Sequence, residues 1–146
     1  MHGKVVLRLL TAAALLTSAM SCSGSLAAEC LRYGVVTLTG RLVQQTYPGP
    51  PDYKSVTNGD EPLIIWILQL DRGACVAGPD SSYPSAYNER EIQLVLGTEQ
   101  YARTNHYARY RHFLGQEITV TGRLLPGGAT YEKRFAIALH SIEKAR

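Results

Sequence analysis

The chain has 146 residues, of which 45% are hydrophobic and 18% charged, a composition that suits one folded domain and disfavours intrinsic disorder. Its formal net charge of +3 comes from 15 basic and 12 acidic residues. Two of the basic residues, Lys4 and Arg8, lie in the leader described below, so the mature chain would keep 13 basic residues against 12 acidic ones. A nucleic-acid partner is therefore disfavoured, because binding of that kind usually needs a strong basic excess.

The first 28 residues have the form of a secretory signal peptide. Lys4 and Arg8 make the start positive, residues 9–16 are mostly apolar or small, and small residues at 25–28 offer a cleavage site. The apolar run is too short for a membrane span, which needs about 20 residues. We therefore expect cleavage near Ala27 or Ala28, export to the periplasm or beyond, and a single mature domain over 29–146.

Three cysteines occur in the chain, and cleavage of the leader would remove Cys22 and keep Cys30 and Cys75. In an exported protein an even pair predicts a disulfide. A metal site is the alternative, although two cysteines with no nearby histidine pair make a poor one. Lipidation of Cys22 is a second alternative that would hold the protein at a membrane, although the leucine usual three positions upstream is missing.

Three strands are predicted in the first two-thirds of the mature chain. The phrase VTLTGRL at 36–42 alternates apolar and polar residues, which is the period of a half-buried strand. A continuous β-branched run at 63–70 predicts a buried strand, and a third strand is predicted at 91–96. The stretches between them, 44–61 and 77–88, are rich in residues that favour turns and are interpreted as loops.

A helix and two further strands are predicted in the last third. Thr98 suits an N-cap and Gly115 a C-terminal cap, and the helical spacing between them predicts a helix over 98–114. The phrase ITVTGRL at 118–124 nearly repeats the first strand, a turn follows at 126–134, and the alternation that begins at Phe135 predicts the last strand. The apolar face of the helix would carry Ala102, His106, Tyr110 and Phe113.

This order predicts a mainly β fold with one helix, a five-stranded OB-like Greek-key β-barrel whose helix lies between strands three and four. The first and fourth strands are neighbours in such a barrel, so the two repeated phrases would lie side by side. Gly40 and Gly122 then mark close backbone approach or the bends that a closing barrel needs. Cys30 and Cys75 would fall at the same end of the sheet, where a disulfide is geometrically reasonable.

The segments REIQLVL at 90–96 and YARYRHFLGQ at 107–116, followed by TGRL, carry a resemblance to known proteins. With Cys30, Cys75 and their neighbours, they resemble a family of small exported bacterial proteins, the domain-of-unknown-function family numbered 4431. The resemblance covers most of the mature chain and implies export and a bacterial source, but no activity. Many members have a histidine-rich turn before the last strand. Here that turn reads TYEKR at 130–134, so no metal role is carried over.

Aromatic and basic residues in two predicted loops form the first candidate binding site. OB barrels usually bind ligands across strands two and three and between the one–two and four–five loops. Those loops would carry Tyr47, Tyr53, Lys54, Tyr131, Lys133 and Arg134. Such residues suit a polyanion, a glycan or a protein segment, and the plainer alternative is that the tyrosines only pack the loops.

Arginines on the predicted helix form a secondary candidate site. Arg103, Arg109 and Arg111 alternate there with tyrosines. Arginine and tyrosine together can bind anions, sugars or bases by charge and stacking. The plainer alternative is a helix that closes the end of the barrel and turns its arginines to solvent.

Catalysis finds little support in the sequence, which has no nucleophile elbow, phosphate loop, zinc helix or calcium loop and predicts no metal or cofactor. Glu89 and Glu91 could act as a paired acid and base, but the plainer interpretation is a solvated strand end. We therefore expect an exported, non-catalytic binding module for a partner protein, a cell-envelope glycan or another ligand. The alternatives are a structural or envelope-stress accessory protein without a discrete site, and a small hydrolase that uses loop carboxylates.

Overall fold

The structure is a computed structural model that describes residues 29–97, 102, 105–127 and 132–146. The predicted leader, with Cys22, lies outside the described residues. The described part is mainly β, as the sequence predicted. Its strands are β1 (Leu31–Arg32), β2 (Gly34–Pro48), β3 (Pro62–Ala77), β4 (Ala86–Val95), β5 (Glu117–Pro126) and β6 (Phe135–Lys144).

The strands form one sheet whose hydrogen-bonded pairs close into a ring. Around the ring, β2 pairs with β3, β3 with β4, β4 with β6, β6 with β5, and β5 with β2. The β4–β6 pair is parallel and the other ring pairs are antiparallel. The short β1 adds to β3 in parallel, outside the ring.

A hydrophobic core fills the ring, because alternate residues of each strand turn inward. The side chains of Leu42, Leu68, Ile92, Ile118 and Ile137 are fully buried there. Between the inward residues of β2, polar side chains such as Thr37 and Thr39 face solvent. The alternation predicted for the first, fourth and last of the five main strands is therefore confirmed, as is the buried strand predicted from the continuous run at 63–70. A separate set of side chains lies on the outer side of the sheet.

The two repeated phrases are antiparallel neighbours, as predicted. Leu38 lies opposite Val120 in the β2–β5 register. On the outer side, the hydroxyls of Thr37 and Thr121 lie 2.9 Å apart, and those of Thr39 and Thr119 lie 3.0 Å apart.

The glycine of each phrase lies where another strand comes too close for a side chain. A Cβ on Gly40 would be 2.3 Å from the backbone oxygen of Gln69, and one on Gly122 would be 2.4 Å from that of Ala138. The β5–β6 register also shifts between Thr121 and Gly122, which marks a bulge. The predicted close backbone approach is confirmed at both glycines.

Three strands extend well beyond their predicted ranges. One is β4, which begins at Ala86 and so includes the last residues of the predicted loop at 77–88. Pairing with β3 carries β2 on to Pro48, so Tyr47 lies in a strand and its predicted loop position is wrong. In the same way β3 continues past residue 70, where the predicted strand ends, to Ala77. Turn-forming residues were overridden in both places because a neighbouring strand supplied hydrogen-bond partners.

The predicted continuous helix over 98–114 is wrong. Residues 98–101, 103 and 104, including the predicted N-cap Thr98, lie outside the described residues. The rest holds a single helical turn, α1 (Asn105–Ala108), and a 3-10 turn at Arg111–Phe113. Leu114 already has extended dihedral angles, with φ −58° and ψ 132°.

Contacts of Tyr107 explain why the segment is not a regular helix. The Tyr107 side chain is fully buried, although Tyr107 is not one of the residues of the predicted apolar face of the helix. The Tyr107 hydroxyl donates to the carbonyl of Leu94 and accepts from the N–H of Leu96, both at 3.3 Å, and its ring packs edge-on against Trp66 at 5.0 Å. A short helix gains most of its stability from tertiary packing, so these contacts outweigh its helical propensity.

Cys30 and Cys75 form a disulfide, as predicted. Cys30 directly precedes β1, and Cys75 lies in the last part of β3, next to the residues that pair with β1. The bond closes a sequence separation of 45 residues, which includes the whole of β2. It therefore fixes the start of the described chain to the far end of β3.

Candidate ligand-binding face

Three polar side chains from three strands meet on the outer side of the sheet. In the register, Arg41 of β2, Gln69 of β3 and Glu91 of β4 lie in one row, on the side away from the core. Gln45, which lies further along β2, also reaches the Glu91 carboxylate. The segment between β5 and β6 covers part of this side of the sheet. We call this side of β2, β3 and β4, together with that segment, the candidate binding face.

Glu91 is the centre of a hydrogen-bonded polar cluster on this face. Its Oε1 accepts bonds from the side-chain amides of Gln45 at 3.3 Å and Gln69 at 3.1 Å, and its Oε2 accepts one from Lys133 at 2.6 Å. The bonds from Lys133 and Gln69 hold the pKa of Glu91 below its ordinary value, against the opposing effect of burial. Glu91 therefore stays ionised at neutral pH, and donors already occupy both of its oxygens.

Lys133 fixes the segment between β5 and β6 onto the face. Burial lowers the pKa of its ammonium group, but the bonds to Glu91 and Tyr47 outweigh that effect and raise the pKa overall. The Lys133 Nζ lies 5.7 Å from the ring centre of Tyr47, whose hydroxyl donates to Gln45 at 2.8 Å. The neighbouring N–H of Glu132 donates to the fully buried Gln93 at 3.0 Å, which holds the segment at a second point.

An open cleft of about 380 Å³ adjoins the cluster. It is lined by Arg41, Gln69, Leu70, Asp71, Arg90 and Glu91. The Arg90 guanidinium donates one bond to the backbone oxygen of Asp71 at 3.1 Å, and Arg41 is exposed. Two guanidinium groups therefore stand at one end of the polar cluster, and the Tyr47 ring stands at the other.

Asp60 organises the segment between β2 and β3. Its carboxylate accepts bonds from the backbone N–H groups of Asp52 at 2.9 Å and of Lys54 and Ser55 at 2.7 Å each. These bonds, that of Ser55 first, hold the pKa of Asp60 below its ordinary value, and the residue is only 6% exposed. Tyr53 lies between these donors in the sequence. It has a φ of 57° and is 63% exposed.

Asp60→Asn should loosen this segment and reduce the sensitivity of the protein to acid. Because folding lowers the pKa of Asp60, its contribution to stability is present above the ordinary aspartate pKa and is lost as the pH falls through the lower, folded value. Urea unfolding at neutral and acidic pH should show a smaller acid loss in the variant. Asp52→Asn, an exposed change in the same segment, is the control. Equal acid loss in Asp60→Asn and wild type would contradict the assignment.

The structure brings together two of the predicted loop residues, Tyr47 and Lys133. It leaves Tyr53, Lys54 and Arg134 exposed. Tyr131 lies outside the described residues. Of the first candidate site, only the Tyr47–Lys133 pair is therefore assembled among the described residues. Tyr47 lies in strand β2 and not in the predicted loop.

The secondary candidate site on the predicted helix is only partly described. Arg103 lies outside the described residues. The guanidinium of Arg109 lies 4.7 Å from the ring centre of Tyr110, and Arg111 is exposed. Arg109 thus stacks on a tyrosine of its own segment.

Several residues of the face were missed by the sequence analysis, and Glu91 was misinterpreted. Glu91 is not a solvated strand end, because it is held by groups from β2, β3 and the segment before β6. Two signals were present: Gln69 interrupts an otherwise apolar run, and Arg41, Gln45 and Tyr47 share one face of β2, although Val43 lies between the first two. The missed residues are Arg41, Gln45, Asp60, Gln69 and Arg90.

Among the described residues, no three histidine, cysteine, aspartate or glutamate side chains come together as a set of metal ligands. In the same part of the chain, no helix has the length and hydrophobicity needed to cross a bilayer. Comparisons with protein-family models and with curated proteins found no match to this chain.

Proposed function

We propose that the protein is an exported, non-catalytic module that binds a glycan of the cell envelope on the candidate binding face. The observation that carries the proposal is the polar cluster around Glu91, in which side chains from three strands and a crossing segment are held in fixed positions. Fixed donors and acceptors beside an open cleft are what a hydroxyl-rich ligand requires.

The strand pairing supports an OB-like barrel. Counting only the five long strands, the order around the ring is one, two, three, five and four, with the third and fifth parallel. In OB barrels the ligand face lies on strands two and three, flanked by the one–two and four–five loops. Here that region is β3 and β4 with the segments around Tyr53 and Lys133. The fold argument is an analogy, and the residues of the face carry the chemistry.

Export agrees with the disulfide, because such bonds persist mainly in oxidising compartments. The cleaved leader over residues 1–28 and a periplasmic or secreted location are part of the proposal. Membership of the family numbered 4431 stays a prediction.

The chemistry of Glu91 favours binding over hydrolysis. A general acid must hold a proton at working pH, whereas the Lys133 contact lowers the pKa of Glu91 and keeps it ionised. Hydrolysis of a glycan by two carboxylic residues usually needs one of them protonated and free to reach the substrate. The Glu91 carboxylate is occupied by three donors, so its role in the proposal is to position Lys133, Gln45 and Gln69.

The shape of the face favours a glycan over a small molecule. Outward residues of β2 recur every second position from Arg41 to Tyr47, which spans up to about 20 Å along an extended strand. The Arg41 guanidinium, the Gln45 amide and the Tyr47 phenol lie along this length, and Val43 separates the first two. The Tyr47 ring adds an apolar surface with a polar tip, which suits a sugar ring that has both apolar and hydroxyl surfaces.

Native-gel migration through soluble polysaccharides tests the proposal, with the protein expressed with its leader and collected after export. At least one envelope-type polysaccharide should retard the wild type, and Tyr47→Ala and Lys133→Met should each weaken binding about tenfold, or about 1.4 kcal/mol. Tyr87→Ala is the matched control, because this side chain is 91% exposed and lies outside the cluster.

Two results would overturn the proposal. One is the absence of retardation by every polysaccharide tested, and tight binding of a protein from envelope extracts would then point to a protein partner. The other is a steady release of reducing ends that is abolished by Glu91→Gln, which would make the protein a hydrolase. Circular dichroism of each variant separates lost binding from lost folding.

A further inference from the structure

We propose that the cleft between Arg41 and Arg90 is a subsite for the negatively charged group of an acidic glycan, a uronate carboxylate or a sulfate ester. The inference rests on the proposed glycan-binding function and narrows it, because glycan binding does not itself require an acidic ligand.

The two arginines keep most of their hydrogen-bonding capacity. Arg41 is exposed, and its guanidinium forms no hydrogen bond or ion pair with any described residue. Arg90 uses one nitrogen on the backbone oxygen of Asp71 and lines the same cleft. A guanidinium offers several donors in a planar fork that matches the oxygens of a carboxylate or sulfate. Both arginines therefore have donors left for an anion.

The charges around the cleft leave room for one anion. Glu91 lines the cleft, but the Lys133 ammonium, 2.6 Å from its carboxylate, balances its charge. Asp71 is the other acidic residue of the lining, beside the two arginines that line the same cleft. Arg41, Arg90 and Lys133 against Glu91 and Asp71 leave one net positive charge. Glu117 lies opposite Arg41 in the β2–β5 register but outside the lining, so within the lining a ligand anion meets the excess positive charge and a ligand cation would meet two arginines.

The neighbouring amide adds selectivity. Gln69 lies between Arg41 and Glu91 in the same row, with adjacent strands about 4.8 Å apart. Its Nε2 is committed to Glu91 at 3.1 Å, which turns the Gln69 amide into a fixed group beside the cleft. A sugar that places its acidic group between the arginines would bring its hydroxyls next to this amide.

The position of the cleft also gives the ligand a direction. Arg41 stands at one end of the outward row of β2 and Tyr47 at the other. An acidic unit held at Arg41 and Arg90 would direct the following sugar units over Gln45 towards the Tyr47 ring. The subsite therefore favours an oligomer with an acidic unit over a neutral oligomer of the same length.

Isothermal titration calorimetry with matched probes tests the subsite. Oligogalacturonate and heparin present carboxylate and sulfate groups, and the methyl ester of the oligogalacturonate keeps the sugars without the charge. At least one acidic probe should bind about tenfold or more tightly than the ester, and added salt should weaken it. Arg41→Gln and Arg90→Gln should each reduce that affinity about tenfold and leave binding of the ester unchanged.

Arg123→Gln is the charge-matched control. Arg123 is exposed on β5 opposite Val35, which lies six residues from Arg41 along β2, or up to about 20 Å. Wild-type affinity in this variant is expected. An equal loss in Arg123→Gln would indicate a general charge effect and overturn the subsite.

The other outcomes separate the two proposals. Equal binding of the acid and its ester, unaffected by Arg41→Gln and Arg90→Gln but lost in Tyr47→Ala, would overturn the anion subsite and leave glycan binding standing. No binding of any polysaccharide would overturn both. Tighter binding of a single-stranded oligonucleotide than of either acidic glycan would overturn the assignment of a glycan to the cleft.

Discussion

Replacing Cys30 and Cys75 together with serine should lower the free energy of unfolding by about 4 kcal/mol. The disulfide closes a separation of 45 residues, and in the chain-entropy treatment a cross-link of that span restricts the unfolded chain by about this amount. The loss is large for a domain of this size, whose total stability is on the order of 5–15 kcal/mol. Urea unfolding of the oxidised protein and the double variant gives the comparison.

Reduction provides the matched control for the disulfide. Treatment of the wild type with a reducing agent should reproduce the loss, and the same treatment should leave the double variant unchanged. The intact mass of the oxidised protein should be lower than that of the reduced form by two hydrogen atoms. Two free thiols in the exported protein, or equal stability of oxidised protein and double variant, would contradict the assignment.

Gly122→Ala should destabilise the closed sheet by about 3 kcal/mol or prevent folding. The added methyl group would lie 2.4 Å from the backbone oxygen of Ala138 and 2.5 Å from the side chain of Ile137. Since β6 is held by β5 on one side and β4 on the other, its backbone cannot move aside without breaking a ring pair. Forced overpacking of this kind typically costs about 1–3 kcal/mol, and a backbone contact belongs at the upper end.

Thr121→Ala is the neighbouring control for the glycine change. It removes an outward hydroxyl that pairs with Thr37 and introduces no contact with β6, so a loss of at most about 1 kcal/mol is expected. Thermal and urea unfolding of both variants measure the difference. A melting temperature for Gly122→Ala equal to that of Thr121→Ala would show that β6 can yield at this point.

Local alternation predicted the strands well because it depends on residues close in sequence. The alternation of 36–42 and 118–124 correctly places Leu42 and Val120 in the core, and the continuous apolar run at 63–70 does so for Leu68. Strand ends were predicted less well, since pairing with β3 keeps Tyr47 extended despite the turn-forming residues that follow it. The helix failed for a related reason: the fixed positions of Trp66 and Leu94 decide where Tyr107 must lie.

The candidate site depended on contacts between residues far apart in sequence. Lys133 and Glu91 are 42 positions apart, and Gln45 and Glu91 are 46 apart, so only the register of the strands brings them together. Residue type correctly drew attention to Tyr47 and Lys133. It could not show that Glu91 is paired, because neither partner precedes or follows it closely. The disulfide was predictable because only two cysteines, Cys30 and Cys75, follow the predicted leader.

The seam between the two repeated phrases has a local two-fold axis, which passes between Leu38 and Val120. Turning the pair about that axis exchanges the phrases, and it places Gly40 opposite Ile118 and Gly122 opposite Val36. Each glycine leaves space for the backbone of a neighbouring strand, which is β3 at Gly40 and β6 at Gly122. The near-repetition of seven residues therefore follows from this symmetry. The two strands run in opposite directions, and each needs a glycine at the end where a further strand approaches, so the same short sequence serves in both.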